Sequence, residues 1–272
     1  MAAALTKRLK DLWDYVGLAV AYTRLNFNAQ LEYRGAFLSQ VAAMFINDGM
    51  WLAFWSLFFT RFQVLRGWNV NDVITLWAVT ASGFGLAYGV FGNTLSLARL
   101  IAQGQLDVWM LYPRALLPHL LLGKMSATAW GDALFGYVVY VIFVRPDPLH
   151  FLMFTGLTLS TAIVFVGFGV VAGSLSFYLG NATTLADQWF NAMITFTTYP
   201  SILFEGLVKL LLFTLIPAGL ISYLPVEALR QLSLGHAALA LLGALAVLMI
   251  SAVVFYHGLR RYESGNLTEM RG

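Results

Sequence analysis

Residues 233–257 read SLGHAALALLGALAVLMISAVVFYH, without one Asp, Glu, Lys or Arg. About 20 residues of apolar helix cross the hydrocarbon core of a bilayer. Within lipid every backbone polar group must find its partner inside the protein, which leaves helices or closed barrels as the only spanning structures. Five further stretches are long and predominantly apolar: 37–59, 72–92, 125–144, 151–175 and 187–204. Their length selects helices over barrel strands. The 272-residue chain is 60% hydrophobic and 11% charged, against about 25% charged in a typical soluble domain. A soluble protein is therefore excluded. There is no internal repeat, low-complexity tract or linker, so residues 1–272 are expected to form a single all-α transmembrane domain. The net charge of +3 comes from scattered rather than clustered basic residues, which argues against a nucleic-acid partner. Cysteine is absent, so neither a disulfide framework nor a thiolate metal site is available. The basic start, Lys7-Arg8-Leu9-Lys10, runs into Asp11 and Asp14 and does not make a secretory leader.

A seventh apolar segment, 206–224, contains Lys209 and is interrupted by Pro217, which removes a backbone donor and kinks a helix. The distribution of Lys and Arg decides how to count it, because cytoplasmic loops carry the excess. With six spans and the N-terminus inside, Lys7, Arg8, Lys10, Arg24, Arg34, Arg99, Arg114, Lys124, Arg260, Arg261 and Arg271 are cytoplasmic. Arg61, Arg66, Arg145, Lys209 and Arg230 lie on the other side. Counting 206–224 as a span weakens that asymmetry. The expectation is six spans, both termini cytoplasmic, and a re-entrant segment at 205–226. Its bend falls at Pro217 and Gly219, with Ala218 and Ser222 open to the outside. Before the first span, Leu5, Leu9, Leu12, Trp13, Val16 and Val20 recur at helical spacing, which predicts an interfacial amphipathic helix over 5–34.

The chain carries no recognisable catalytic apparatus. Its nearest approach to a phosphate-binding loop, ending Gly123-Lys124-Met125, has Pro118 in place of the first glycine and Met125 in place of the hydroxyl residue. His119, His150, His236 and His257 have no metal-ligand spacing. Ser82, in a glycine-rich helix, reads as a packing residue rather than a nucleophile. Gly85/Gly89 and Gly169/Gly173 are spaced for close helix approach. Asp48 and Asp132 lie inside predicted spans, where a charge costs roughly 2.5–3.5 kcal/mol on insertion scales, so each must face protein or water. Lys124, Thr128 and Asp132 are expected on one helical face. Asn191, Thr195 and Thr198 could line a pathway with them, or bond their own helix backbone.

The stretch 96–113 stands out between the second and third spans. Leu97, Leu100 and Ile101 make a short amphipathic turn, Gly104 permits a tight bend, and Pro113 and Pro118 fix the chain on its return. Gly104-Gln105-Leu106-Asp107, followed by Leu111 and Pro113, resembles the G-T-L-E-x-L-L-x-x-P pattern of ABC type-2 permeases. Gln105 replaces the usual Thr, and Val108-Trp109-Met110 departs from the common residues. The resemblance extends to the N-terminal interfacial helix, the six spans, the proline-punctuated segment (Pro200, Pro217, Pro225) and the ending Arg261-Tyr262-Glu263-Ser264-Gly265. It implies the membrane subunit of an ATP-driven exporter in the bacterial inner membrane, working by alternating access. Residues 96–113 would then form a cytoplasmic coupling loop, with Leu97, Leu100, Ile101, Gly104, Leu106, Asp107 and Pro113 as its coupling residues. The implied partners are two copies of a cytoplasmic ATPase, which hold the ATP and Mg, and a second permease subunit, identical or homologous. This chain itself would hold no cofactor. The alternative from another class is an ATP-independent secondary transporter or channel, for which a discontinuous helix at Pro217 and a buried Asp48 would suit ion coupling.

Overall fold

The computed structural model describes residues 2–62, 67–200 and 203–262, with side chains from Asp14 onward, apart from those of Lys209, Leu212 and Phe213. The side chains of Leu5, Leu9, Leu12, Trp13 and Lys209, and all of Arg66 and Glu263-Ser264-Gly265, lie outside that description. Among the described residues the protein is built of helices and has no sheet.

Among the described residues five segments are long and apolar enough to cross a membrane: α2 (Arg34–Arg61), α3 (Val70–Val90), α7 (Ala127–Val139) extended by a π-turn to Val144, α8 (Pro148–Ser174) extended to Leu179, and α13 (Leu234–Leu259). The remaining expected span is shorter than the sequence suggested. Helix α10 covers Thr183–Thr197, 15 residues or about 22 Å at 1.5 Å per residue. It ends there because Pro200 pushes Tyr199 out of helical geometry. The segment after it is not one continuous helix. It runs as α11 (Gly206–Thr214), an irregular step through Pro217, a π-turn (Gly219–Tyr223) and α12 (Leu224–Gln231).

Helix α3 is the axis of the molecule and is buried along most of its length. Two glycine contacts explain how α7 reaches it. A Cβ at Gly85 would run into the backbone of α7 at Ala129 and Ala133, and one at Gly136 would run into Ser82 and the carbonyl of Ala78. Ser82, fully buried against Gly136, is thus a packing residue. His236 bonds Ser233 at the start of α13. The pair Gly169/Gly173 seats α8 against Thr94 and Leu97, just ahead of the loop. Both glycine pairs are accordingly used within the chain. At the opposite end Asn69 and Asp72 cap α3 reciprocally. Arg230 of α12 reaches over to Asp72 at 3.7 Å and donates to the Gly67 carbonyl at 2.7 Å.

Polar groups inside the bundle are mostly bonded to backbone. Tyr88 Oη donates to the Phe165 carbonyl (3.1 Å), Thr161 Oγ1 to that of Ile221 (2.8 Å) and Tyr223 Oη to that of Phe196 (2.7 Å). The last two tie the broken segment into the core. They also overturn the expectation that its bend is open. Ala218 and Ser222 are both fully buried, with Ser222 Oγ bonded to the Ala218 carbonyl. Pro217 and Gly219 do form a break, but it is sealed between α3, α8 and α13.

Candidate functional site

Two features stand apart from ordinary packing: the loop at one end of the bundle and a cleft halfway along it.

The loop consists of α4 (Leu97–Ala102), a bend, α5 (Leu106–Met110), and α6 (Leu116–Leu122). Gly104 has φ +68°, a left-handed conformation that side chains disfavour. Its N–H bonds the Ile101 carbonyl and that of Gln105 bonds Leu100, a Schellman closure that satisfies the end of α4. Pro118 falls in the first turn of α6, where its missing N–H costs nothing. The amphipathic turn read from sequence therefore exists, but its apolar face points inward. Leu97, Ile101 and Leu106 are buried in the central core with Leu116, Leu117 and Leu120, and Leu100 is half-buried beside them. They anchor the loop and are not its contact surface.

What faces outward is a different set, of which Leu111, Gln105, Asp107 and Pro113 figured in the sequence motif and Val108, Met110 and Tyr112 did not. Val108, Met110, Leu111 and Tyr112 form an apolar strip, with Leu111 84% exposed. Gln103, Gln105, Asp107, Pro113 and Arg114 are exposed around it. Asp107 lies in the first turn of α5 without an ion pair among the described residues. The Tyr262 phenol sits beside it, at the end of α13; burial first, and then the Asp107 charge, push that phenol up to about 12. The far side of the loop is held by helix α1 (Ala2–Glu32). Tyr22 Oη meets His119 Nε2 at 2.6 Å, Tyr15 Oη accepts from the Ala115 N–H, and Asn26 donates to the Leu122 carbonyl. Trp109 and Tyr112 pack edge-on to the His119 ring at 5.1 and 4.9 Å. Burial, and secondly the positive Arg114, hold the His119 imidazole below its ordinary value of 6.5, in the neutral form.

The cleft is a space of about 290 Å³ between α2, α3, α7 and the end of α10. Gly131 lets α7 come against the Val41 backbone and the Met44 Cβ of α2, and this close approach brings Asp132 to Asp48. Both residues are 5% exposed, and Oδ2 of each is buried without a hydrogen-bond donor. Asn47 Nδ2 donates to Asp48 Oδ1 at 3.2 Å. Thr195 and Thr198 line the cleft, yet their hydroxyls bond the Asn191, Ile194 and Thr195 carbonyls of their own helix. Asn191 is exposed and is not in the lining. Lys124 precedes α7, its carbonyl accepting from the Gly92 N–H, so the expected row with Thr128 and Asp132 loses its first member. Sequence reasoning missed the aromatic wall, made by Trp51, Trp77, Phe84 and Tyr199. Among the described residues no group of His, Asp and Glu could hold a metal ion.

An all-helical bundle with several helices long and apolar enough to cross a membrane is that of a multi-pass membrane protein. The chain belongs to the ABC-2 family: the model described as "ABC-2 family transporter protein" matches residues 45–266. No curated protein and no solved structure matched it. Membership carries a transport role in a lipid membrane, association with an ATPase, and no enzymatic activity in the permease itself.

Proposed function

We propose that this chain is the transmembrane subunit of an ATP-driven exporter, moving its substrate by alternating access while a separate cytoplasmic ATPase, present in two copies, binds ATP and Mg. A second permease subunit, identical or homologous, completes the pathway in the inner membrane. On this reading α10 counts as the fifth of six spans, both termini are cytoplasmic, α1 lies in the interface, and 205–226 forms the re-entrant outer segment.

The observation that carries the proposal is the loop between α3 and α7. An exposed apolar strip, Val108 to Tyr112, is fixed to the bundle core through Leu97, Ile101 and Leu106. A partner pushing on the strip would move α3, α7 and α8 together, because packed interiors transmit displacement rather than absorb it. Leu97, Leu100, Ile101, Leu106 and Gly104 thus act in coupling by holding the loop's shape, while Asp107 and Pro113 stand on its exposed side. Asp107→Lys places a cation at the edge of that surface and should uncouple ATP hydrolysis from transport. The test is to purify the chain from its native membrane and look for a Walker-motif ATPase, then to measure ATPase activity with and without transport for the variant. A permease that purifies alone and carries substrate down an ion gradient would instead favour an ion-coupled carrier, for which the Asp48/Asp132 pair is the relevant observation.

A further inference from the structure

The mid-bundle cleft presents an unbalanced set of groups. Asp48 and Asp132 face one another with a bare, buried Oδ2 on each, and Asn47 donates to Asp48 Oδ1. Among the described residues no Lys, Arg or His lines the space. Two buried carboxyls in contact leave acceptor oxygens without donors, which is costly in an apolar surrounding. The wall opposite them is aromatic. Trp51 stacks on Trp77 with ring centroids 5.8 Å apart, and Tyr199 stands edge-on to Trp51 at 6.3 Å. The Trp77 ring nitrogen is likewise buried without a partner.

Carboxyl oxygens lacking a donor call for a donor that carries positive charge. Aromatic faces attract cations through their quadrupole and also accept apolar surface. A volume of about 290 Å³ is at the small end of ligand pockets. We propose that the cleft binds small organic ammonium ions bearing an apolar group: the ammonium hydrogens bond Asp48 and Asp132, and the apolar part lies against Trp51, Trp77 and Tyr199. The inference rests on reading the chain as a transport permease, and names the chemical class of its substrate. A bare metal cation would leave the aromatic wall unused, and a neutral apolar molecule would leave both carboxyl oxygens unsatisfied.

The full-length chain in lipid nanodiscs, without any ATPase, is titrated with tritiated 2-phenylethylammonium, and 2-phenylethanol serves as a neutral competitor of similar shape. The ammonium ion should bind at least about tenfold more tightly than the alcohol. Asp48→Asn and, separately, Asp132→Asn should each remove most of that difference. Trp51→Leu, at a residue 38% exposed and outside the buried core, should weaken both ligands several-fold. Equal affinity for the two probes, or wild-type ammonium binding in both Asn variants, would overturn the proposal. So would the absence of saturable binding, which would leave the carboxyls as a pair sharing a proton. Because no ATPase is present, these outcomes are separate from success or failure of the coupling assignment.

Discussion

Individual residues in this protein divide by which way they face, and substitutions should separate the groups. Leu106 is fully buried and Leu111 nearly fully exposed, although five positions apart. Leu106→Ala should cost about 2–5 kcal/mol through the cavity it leaves, read as a lower unfolding temperature in detergent. Leu111→Ala should leave that temperature unchanged and weaken ATPase association. Equal thermal effects of the two would contradict the inward anchoring. Gly136→Val drives a side chain into Ser82 and the Ala78 carbonyl, on backbone that cannot yield. Overpacking of this kind costs about 1–3 kcal/mol, and the folded fraction in size-exclusion chromatography should fall. Part of this was readable beforehand. Asp48 and Asp132 were conspicuous as charges in apolar helices, and the glycine pairs as small residues at helical spacing. Trp51, Trp77 and Tyr199 were not, because in a chain with 21 Phe and 8 Trp an aromatic residue at any one position carries no signal.

The elements show where periodicity informs and where it fails. Long apolar helices were legible because lipid imposes one requirement along their whole length, and their ends fall within a few residues of the expected ones. The six-residue α4 was legible as a helix but not in its orientation, since two turns do not say whether the apolar side meets the core or a partner. The break at Pro217 was legible too, yet its burial depends on Thr161 and the neighbouring helices, which are distant in sequence. The contact of α1 with α6 was invisible for the same reason. It should respond to pH. His119 is held neutral, with its folded-state value below 6.5, so the unfolded chain takes up the proton first. The contact is therefore intact above about 6.5 and loses stability as pH falls through that value toward the lower folded one. The unfolding temperature of the purified chain should drop between pH 7.5 and 5.5. In His119→Phe, which keeps the aromatic packing, the drop should be smaller; an unchanged drop would place the sensitivity elsewhere.

Taken whole, the bundle is a core packed around α3, with an exposed apolar strip at one end, a sealed helix break toward the other and a cleft of carboxyl and aromatic groups between. Six spans require the two chain ends on one side, so reporters fused near Lys7 and after Gly272 should both read cytoplasmic. A C-terminal reporter that reads outside would remove the coupling loop from the ATPase side. The central claim is that the Val108–Tyr112 strip is where a separate ATPase grips the permease. The absence of native cysteine allows one direct measurement: Leu111→Cys and, as a control, Val253→Cys on the exposed face of α13. Each is treated in native membranes with a short bifunctional thiol–amine cross-linker. The account predicts that the Leu111→Cys protein alone is captured with a Walker-motif ATPase, and that Asp107→Lys in the same chain diminishes the product. Capture at position 253 in place of 111, or no ATPase captured at 111, would contradict it.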